Sequence, residues 1–272
     1  MNIQTNVPAK YGLAIVILIM LSTPIIIHIT FLIKANSYQA LNTCQQVWAH
    51  RGLTTVEREN SISAFSLAFK HGAAGVELDV YFHNESFQFI VSHEPIIDVI
   101  NSEVLTLEDV FTEFGDGHFY WLDFKNLYQL NPNERSRALE KLDLLSQTVV
   151  SKSELLVESV DDHALSSFTQ QGFQTSYWVA LPSDLSQLSY LIHTFKIKVK
   201  YLLGQFTMIS TDIVNYSNRF QNQLPTIPTL LFTVNDSTTI SSLFEKSNVR
   251  VVLTDLPIYD LSQGCVDDNK QP

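Results

Sequence analysis

The chain has 272 residues, with 28 acidic and 17 basic side chains, so its formal net charge at pH 7 is −11. This charge argues against nucleic acid as a partner, because phosphate backbones are bound through clustered Lys and Arg. Hydrophobic residues make up 45 % of the chain, which excludes wholesale disorder and permits a sizeable core. Neither a P-loop motif nor a GxSxG motif occurs, so nucleotide phosphate binding and a nucleophile-elbow hydrolase have no support.

The N-terminal region has the length and composition of a membrane-spanning helix. No charged residue lies between Lys10 and Lys34, and residues 11–33 would form a helix of roughly 34 Å, enough to cross a hydrocarbon core of about 30 Å. We therefore predict an N-terminal tail and transmembrane anchor over residues 1–35, with a linker over residues 36–46. A cleaved signal peptide is the alternative, but its apolar part is shorter and ends in small residues. Positive charge before the helix slightly favours a cytosolic N-terminus, which makes the rest of this single-pass protein extracytoplasmic.

From residue 47 onward, short apolar runs alternate with segments of helical periodicity. The predicted strands are Val47–His50, Gly75–Tyr81, Phe119–Phe124, Glu154–Ser159, Gln174–Val179, Ile197–Tyr201, Pro228–Thr233 and Arg250–Leu253. The predicted helices are Ser61–His71, Thr106–Phe114, Asn133–Val149, Asp161–Gln171, Pro182–Thr194, Thr207–Phe220 and Asp236–Lys246. Several helices have typical ends: Asp161 and Asp236 suit the N-cap, Pro182 suits the first turn, and Gly72 suits the left-handed position after a helix.

Eight strands that alternate with helices predict an α/β protein, a TIM (β/α)8 barrel over residues 47–262, followed by a polar tail over residues 263–272. An open doubly wound sheet is the alternative, although it usually has a glycine-rich turn after its first strand. Cys44 and Cys265 flank the barrel, and closure of the barrel would bring its two ends together. The sequence leaves open whether they form a disulfide or remain two unrelated thiols.

Ionisable residues lie at or just after the ends of the first three predicted strands, where a barrel of this kind places its catalytic groups. They are His50, Arg51, Glu77, Asp79, His93, Asp123 and Lys125. Residues two apart share one face of a strand, so Glu77 and Asp79 point the same way, as do Asp123 and Lys125. Each pair alone is typical of a solvated strand. Here the surrounding strands have the composition of buried ones, and a buried carboxylate pair is costly without a cation.

Eight short segments between Val47 and Pro257 have the character of family motifs. They are Ala49-His50-Arg51-Gly52, Arg58-Glu59-Asn60-Ser61, Ala64-Phe65, Gly75-Val76-Glu77-Leu78-Asp79-Val80, Val91-Ser92-His93, Leu122-Asp123-Phe124-Lys125, Phe232-Thr233-Val234-Asn235 and Leu253-Thr254-Asp255-Leu256-Pro257. In these segments and in their order, the chain resembles the glycerophosphodiester phosphodiesterase family, which is similar to the phosphatidylinositol-specific phospholipases C.

The resemblance implies a role for each matching position. His50 and His93 would be the catalytic acid and base, and Arg51 and Lys125 would bind the phosphate. The metal ligands would be Glu77, Asp79 and Asp123, with Glu59 as a supporting partner of the metal. Carboxylates are hard oxygen ligands, which suit Ca²⁺ or Mg²⁺ rather than zinc.

The resemblance further implies hydrolysis of glycerophosphodiesters, or of related lipid headgroups, to an alcohol and glycerol phosphate. Two departures from the family pattern affect the site: Asp123 stands where the family has Glu, and Phe232 stands where it has Trp. Two alternatives therefore remain at this point. One is a phospholipase that acts on intact membrane lipids, and the other is a barrel that binds phosphate esters without catalysis. The headgroup alcohol and the oligomeric state cannot be inferred from the sequence.

Overall fold

The computed structural model describes residues 9–37, 45–95 and 104–262. Its strands are β1 Gln46–Ala49, β2 Gly75–His83, β3 Gln88–Val91, β4 Phe119–Phe124, β5 Leu155–Ser159, β6 Gln174–Trp178, β7 Met208–Asp212, β8 Thr229–Phe232 and β9 Val249–Thr254. Its α-helices are α1 Ala9–Ser37, α2 Ile62–Lys70, α3 Leu107–Phe114, α4 Pro132–Thr148, α5 Asp162–Gln170, α6 Gln187–Leu202, α7 Asn218–Gln223 and α8 Ser237–Phe244. Cys44 and Cys265 lie outside the described residues.

The strands close into a barrel, which confirms the predicted fold and excludes the open sheet. β1 pairs in parallel with both β9 and β2, and the order between them runs through β8, β7, β6, β5 and β4. β3 is an additional strand that pairs antiparallel with β2. Because every parallel strand runs in the same direction, the carboxyl ends of all eight lie at one face of the barrel, here called the catalytic face.

Side chains that alternate along the strands form two separate apolar cores. The larger core lies between the strands and the surrounding helices. The smaller core fills the inside of the barrel and consists of Trp48, Trp121, Leu156, Met208, Leu230, Val251 and Leu253. Within it, the ring of Trp48 stacks on Phe119 with 5.3 Å between the centroids. This packed interior closes the barrel below the catalytic face, so the polar site above it has a rigid floor.

The predicted helix ends are confirmed at most positions. The side chains of Asp161 and Asp236 accept from backbone amides at the starts of α5 and α8. Thr106 forms a capping box at the start of α3. Gly72 follows α2 with a φ of 92°, the left-handed conformation that favours glycine. Pro182 is the exception, because α6 begins at Gln187.

Two predicted elements on the sixth βα unit are wrong. The predicted strand Ile197–Tyr201 belongs to α6, and the predicted helix Thr207–Phe220 begins instead with β7. The alternation of Lys with apolar residues after position 196 suggests a strand. The buried positions Tyr190, Thr194, Ile197 and Tyr201 instead follow the three- and four-residue spacing of a helix that packs on a sheet.

The last turns of α1 pack against α6. Phe31 is fully buried, and its ring meets that of Tyr201 at 5.6 Å in an edge-to-face contact. Lys34 Nζ donates to the carbonyl oxygens of Tyr201 and Leu202 at 2.9 and 3.2 Å. Among the described residues, α1 contains one stretch long and apolar enough to cross a membrane, Ala14–Ala35, with a mean hydropathy of 2.5.

The contact between β1 and β2 depends on a residue without a side chain. A Cβ atom on Gly75 would lie 2.6 Å from Trp48 Cδ2 and 2.9 Å from Phe119 Cβ. We therefore expect Gly75→Ala to destabilise the barrel by about 1–3 kcal/mol through overpacking, measured as the free energy of unfolding in denaturant. Gly12→Ala is the matched control, because no atom lies within 4 Å of its added Cβ. Equal stability of the two variants would contradict the close packing.

Candidate active site

Carboxylates from three neighbouring strands lie side by side at the catalytic face. In the strand register, Asp79 of β2 is opposite Asp123 of β4, and Asp123 is opposite Glu158 of β5. Glu77 lies two residues below Asp79 on the same face of β2. One ligand oxygen from each of Glu77, Asp79 and Asp123 lies within 4.8 Å of the others, so the structure brings the three predicted metal ligands together.

Asp79 is fully buried and has polar partners on both carboxylate oxygens. Oδ1 lies 2.7 Å from Lys125 Nζ. Oδ2 accepts from Asn60 Nδ2 at 2.7 Å and lies 3.1 Å from Arg51 Nε. The Asn60 side chain also accepts from the Asp79 backbone amide at 3.1 Å. Asn60 therefore positions Asp79, a role that sequence reasoning missed although the motif contains this residue.

The turn after β1 positions Arg51 against Glu77. Arg51 adopts a left-handed φ of 55° and Gly52 a φ of 86°, which turns the Arg51 amide toward Glu77 Oε2 at 2.9 Å. A Cβ on Gly52 would lie 2.7 Å from Ala64 Cβ, so this position requires glycine. The Arg51 guanidinium also reaches outward to Glu59 at 3.0 Å. Glu59 thus contacts Arg51 from the half-exposed outer side.

Lys125 links two of the carboxylates. Its ammonium group forms ion pairs with both Asp79 and Asp123. Burial alone would lower the pKa of Lys125, but the negative charges of Asp123 and Asp79 outweigh burial and raise it. Lys125 therefore stays protonated and provides a fixed positive charge at neutral pH.

His50 is held in one orientation by a carboxylate that the sequence interpretation did not assign. His50 Nδ1 lies 2.8 Å from Asp255 Oδ1, and Asn235 Nδ2 donates to Asp255 Oδ2 at 2.8 Å. The hydrogen bond with His50 holds the pKa of Asp255 below its usual value. An ionised carboxylate can only accept, so Nδ1 carries the proton and Nε2 is left to exchange protons with a substrate.

His93 follows β3 at the height of Asp79, because the amide of the preceding Ser92 donates to the Asp79 carbonyl at 3.0 Å. Its Nδ1 lies 2.8 Å from Glu94 Oε1, and its side chain is more exposed than that of His50. His93 lies outside the set of residues that line the cavity described next. Of the two predicted catalytic histidines, the structure therefore places His50, but not His93, in the wall of that cavity.

A cavity of about 330 Å³ opens at the catalytic face. Its polar lining includes five of the predicted site residues: His50, Arg51, Glu77, Asp123 and Lys125. Its apolar walls include Trp121, Trp178 and Phe232. Trp121 belongs to the inner core, as expected for a packing residue, and it meets Phe232 in an edge-to-face contact at 6.2 Å.

Glu158 is a buried carboxylate that sequence reasoning missed. It also lines the cavity, and only 4 % of its surface is exposed. Its Oε2 atom makes no hydrogen bond within the described part of the chain. Burial, followed by the charge of Asp123, raises the pKa of Glu158 well above its usual value. The sequence signal that could have identified Glu158 is a single acidic residue among the apolar residues of β5.

The charge balance of the cluster suits a divalent cation. Four carboxylates lie on adjacent strands: Glu77, Asp79, Asp123 and Glu158. Two cationic side chains face them, Arg51 and Lys125. Full ionisation therefore leaves two uncompensated negative charges, and Ca²⁺ or Mg²⁺ with oxygen ligands would offset them. Burial, followed by the charges of Asp79 and Asp123, raises the pKa of Glu77 well above its usual value, which shows the cost of this excess charge.

The sequence matches no protein-family model and no curated protein, but the barrel is similar to solved structures. A glycerophosphodiester phosphodiesterase from Thermotoga maritima has a TM-score of 0.57 and 18 % identity, with 78 % of this chain and 94 % of that one covered. One from Parabacteroides distasonis has a TM-score of 0.59, 19 % identity and coverages of 78 % and 93 %. A phosphodiesterase from Oleispira antarctica, in complex with the product sn-glycerol-3-phosphate, has a TM-score of 0.60, 17 % identity and coverages of 80 % and 96 %.

These comparisons establish the fold. The chain has the barrel of the glycerophosphodiester phosphodiesterases, and the resemblance predicted from its motifs is confirmed at the level of the fold.

The raised pKa values of Glu77 and Glu158 predict a pH-dependent stability that a divalent cation removes. In the unfolded chain, both glutamates lose their protons above a pH of about 4.3, whereas in the metal-free folded protein they keep them to higher pH. The free energy of unfolding of the metal-free protein therefore falls as the pH rises from that value toward the pKa values of the folded state. We expect the difference in Tm between Ca²⁺-loaded and EDTA-treated protein to grow from pH 5 to pH 8. Glu77→Gln should flatten this dependence. Parallel curves with and without the cation would contradict the assignment of the cluster.

Proposed function

We propose that the protein is a metal-dependent phosphodiesterase that hydrolyses glycerophosphodiesters to an alcohol and glycerol phosphate. One observation carries the proposal: a single cavity is bordered by an oriented imidazole, two fixed cations and a cluster of carboxylates, all at the carboxyl ends of barrel strands. The presence of a glycerol phosphate product in the Oleispira antarctica phosphodiesterase supports the same class of substrate for this chain.

The cationic side chains suit the charge of a phosphodiester. Arg51 and Lys125 border the cavity, and their contacts with Asp79 hold them in place. Their remaining N–H groups would bind the non-bridging oxygens, on which negative charge gathers during displacement at phosphorus. Glu77, Asp79 and Asp123 would hold the cation, with Glu158 close to Asp123. A bound Ca²⁺ or Mg²⁺ supplies further charge compensation for the phosphodiester.

The two histidines would share the proton transfers. Asp255 fixes His50 so that Nε2 is free to accept or donate, and Glu94 contacts His93 in the same way. One histidine removes a proton from the attacking water, and the other protonates the leaving alkoxide. An imidazole can either accept or donate a proton, which suits both roles.

A further carboxylate lies next to the shortened side chain of Asp123. Asp123 is engaged by Lys125, and Glu158 lies on the adjacent strand in register with it. We propose that Glu158 compensates for the methylene group by which Asp123 is shorter than a glutamate. Glu158 would supply negative charge and, where the cation permits, a ligand oxygen. Its unpaired Oε2 atom and its place in the cavity wall support this assignment.

We propose that α1 is an uncleaved membrane anchor and that the barrel is extracytoplasmic. The burial of Phe31 and the bonds from Lys34 to the end of α6 make the last turns of α1 part of the folded barrel. Removal of a signal peptide would take away this packing. The N-terminal part of α1 is almost entirely apolar and exposed, as expected for a helix surrounded by lipid.

The function is tested by assay of the full chain on a panel of glycerophosphodiesters with Ca²⁺, Mg²⁺ or EDTA. We expect turnover with at least one of the two cations and none after chelation, with recovery when the cation returns. Binding of a phosphodiester without turnover under any of these conditions would instead identify a non-catalytic barrel.

Loss of the His50 imidazole should slow the chemical step. We expect His50→Ala to lower kcat by about 10²–10⁴-fold, the usual contribution of a positioned acid or base, with little change in the affinity for the cation. His163→Ala is the matched control, because His163 is exposed on α5. Activity that persists in a His50→Ala, His93→Ala double variant would exclude the two-histidine mechanism.

Loss of the Glu158 charge should weaken cation binding. We expect Glu158→Gln to lower the affinity for Ca²⁺ or Mg²⁺ by about 10–100-fold, as for other groups that support a metal site, measured by calorimetry. Glu154→Gln is the matched control, because Glu154 accepts from the Gly117 amide just before β5 begins, away from the catalytic face. Equal affinities in the two variants would remove Glu158 from the site.

A further inference from the structure

The direction of α1 relative to the barrel is set by its contacts with α6. Lys34 meets Tyr201, whereas Pro24 and Ile25 face Leu191 and Ile192 across a shared cavity. Residues nearer the start of α1 thus contact residues nearer the start of α6, so the two helices run parallel. α6 follows β6 and therefore begins at the catalytic face. The N-terminal part of α1 must project beyond that same face.

The described part of α1 that projects beyond the catalytic face is too short to cross a bilayer alone. Lys34 and Tyr201, which are in contact, are 167 residues apart in sequence. Because parallel helices have the same rise per residue, the same offset places Gln187, at the start of α6, level with Met20. The described helix before Met20 is then roughly 17 Å long at about 1.5 Å per residue, against a hydrocarbon core of about 30 Å. If α1 spans the membrane, the bilayer must therefore extend past the catalytic face and along the first turns of α6.

The surfaces that this placement would bury are apolar. Outside α1, the described residues include ten large hydrophobic side chains that are exposed. Six of these lie at the catalytic face, at the end of a strand, in the loop that follows a strand or in a first helical turn: Val56, Tyr128, Val160, Trp178, Leu188 and Val214. Two more, Leu191 and Ile192, continue along α6 and line its cavity of about 680 Å³ with α1. An exposed apolar patch around a polar cavity is typical of a surface that docks on another.

We propose that the catalytic face of the barrel lies on the membrane that α1 spans, and that the substrate is the headgroup phosphodiester of an intact phospholipid in that bilayer. This proposal rests on the phosphodiesterase function proposed above and specifies its substrate class. Water adds to phosphorus, the bond to the headgroup oxygen breaks, and the headgroup leaves as an alcohol after protonation. Phosphatidate remains in the bilayer.

Continuity with α1 favours lipid as the occupant of this face. The exposed apolar residues of α6 adjoin Ile25 and His28 of α1 across the shared cavity, so one surface runs from the anchor to the rim of the site. Lys196 is also part of the cavity lining, where an ammonium group can meet lipid phosphates at the interface.

Trp178 is a built-in reporter of this contact. Of the three tryptophans, Trp48 and Trp121 are buried and Trp178 is 39 % exposed at the catalytic face. In phosphatidylcholine vesicles brominated near the headgroup end of the acyl chains, we expect the fluorescence of the full chain to be quenched, and Trp178→Phe to remove the quenched component. Absence of quenching would overturn the proposal and would favour a protein partner for this face, whether or not the protein is an active phosphodiesterase.

The two ends of α6 provide a matched pair of variants for the substrate class. Leu188 and Leu203 are 70 % and 71 % exposed, but Leu188 lies at the catalytic face and Leu203 at the opposite end. We expect Leu188→Ser to lower alcohol release from vesicle phosphatidylcholine by about tenfold through lost apolar contact, without effect on soluble glycerophosphocholine. Leu203→Ser should change neither rate.

The soluble substrate and the vesicle substrate test the phosphodiesterase function and the lipid substrate class separately. Turnover of soluble glycerophosphocholine without any turnover of vesicle phosphatidylcholine would overturn the lipid substrate and retain the phosphodiesterase. Equal effects of Leu188→Ser and Leu203→Ser would also contradict docking through the catalytic face. If neither substrate is turned over but Trp178 fluorescence is still quenched, the phosphodiesterase function is rejected and the lipid substrate with it. The contact of the catalytic face with the membrane would then stand.

Discussion

The carboxylate of Asp79 has no contact with solvent, and most of the site follows from the need to compensate its charge. Arg51 and Lys125 each form an ion pair with it, and Asn60 donates a hydrogen bond to it. Because an unpaired buried carboxylate would cost several kcal/mol, these three side chains cannot leave without loss of the site. The same contacts fix Arg51 and Lys125 where a phosphate would meet them. Structural compensation and the proposed substrate binding thus use the same two cations.

This arrangement also explains why the backbone around the site departs from ordinary geometry. Arg51 and Asn60 both have positive φ values, and the Asn60 amide donates to the Arg51 carbonyl at 3.0 Å. Local strain of this kind persists where surrounding contacts determine the conformation. Here the contacts are those of Glu77 with the Arg51 amide and of Asp79 with the Asn60 side chain.

The sequence predicts the elements whose signals are local. The spacing of Glu77 and Asp79 places both on one face of β2, and the number of strands predicts a closed barrel. Prediction fails where two periods compete: the residues from Ile197 to Tyr201 alternate like a strand, but packing against the barrel selects the helical period of α6. Contacts distant in sequence are not visible in such patterns. Glu158 becomes part of the site only through its register with Asp123, and Asp255 only because closure of the barrel brings β9 beside β1.

The modest size of the cavity limits how a membrane substrate could be handled. At about 330 Å³, it is near the lower end of the range for small-molecule sites and is closed below by Trp121 and the packed interior. A headgroup with its phosphate can enter such a space, whereas the diacylglycerol part cannot. Catalysis on a lipid would therefore proceed without extraction of the molecule from its leaflet. Turnover would then depend on the mole fraction of substrate in the membrane plane rather than on its bulk concentration, and an anchored enzyme could process many lipids without leaving that surface.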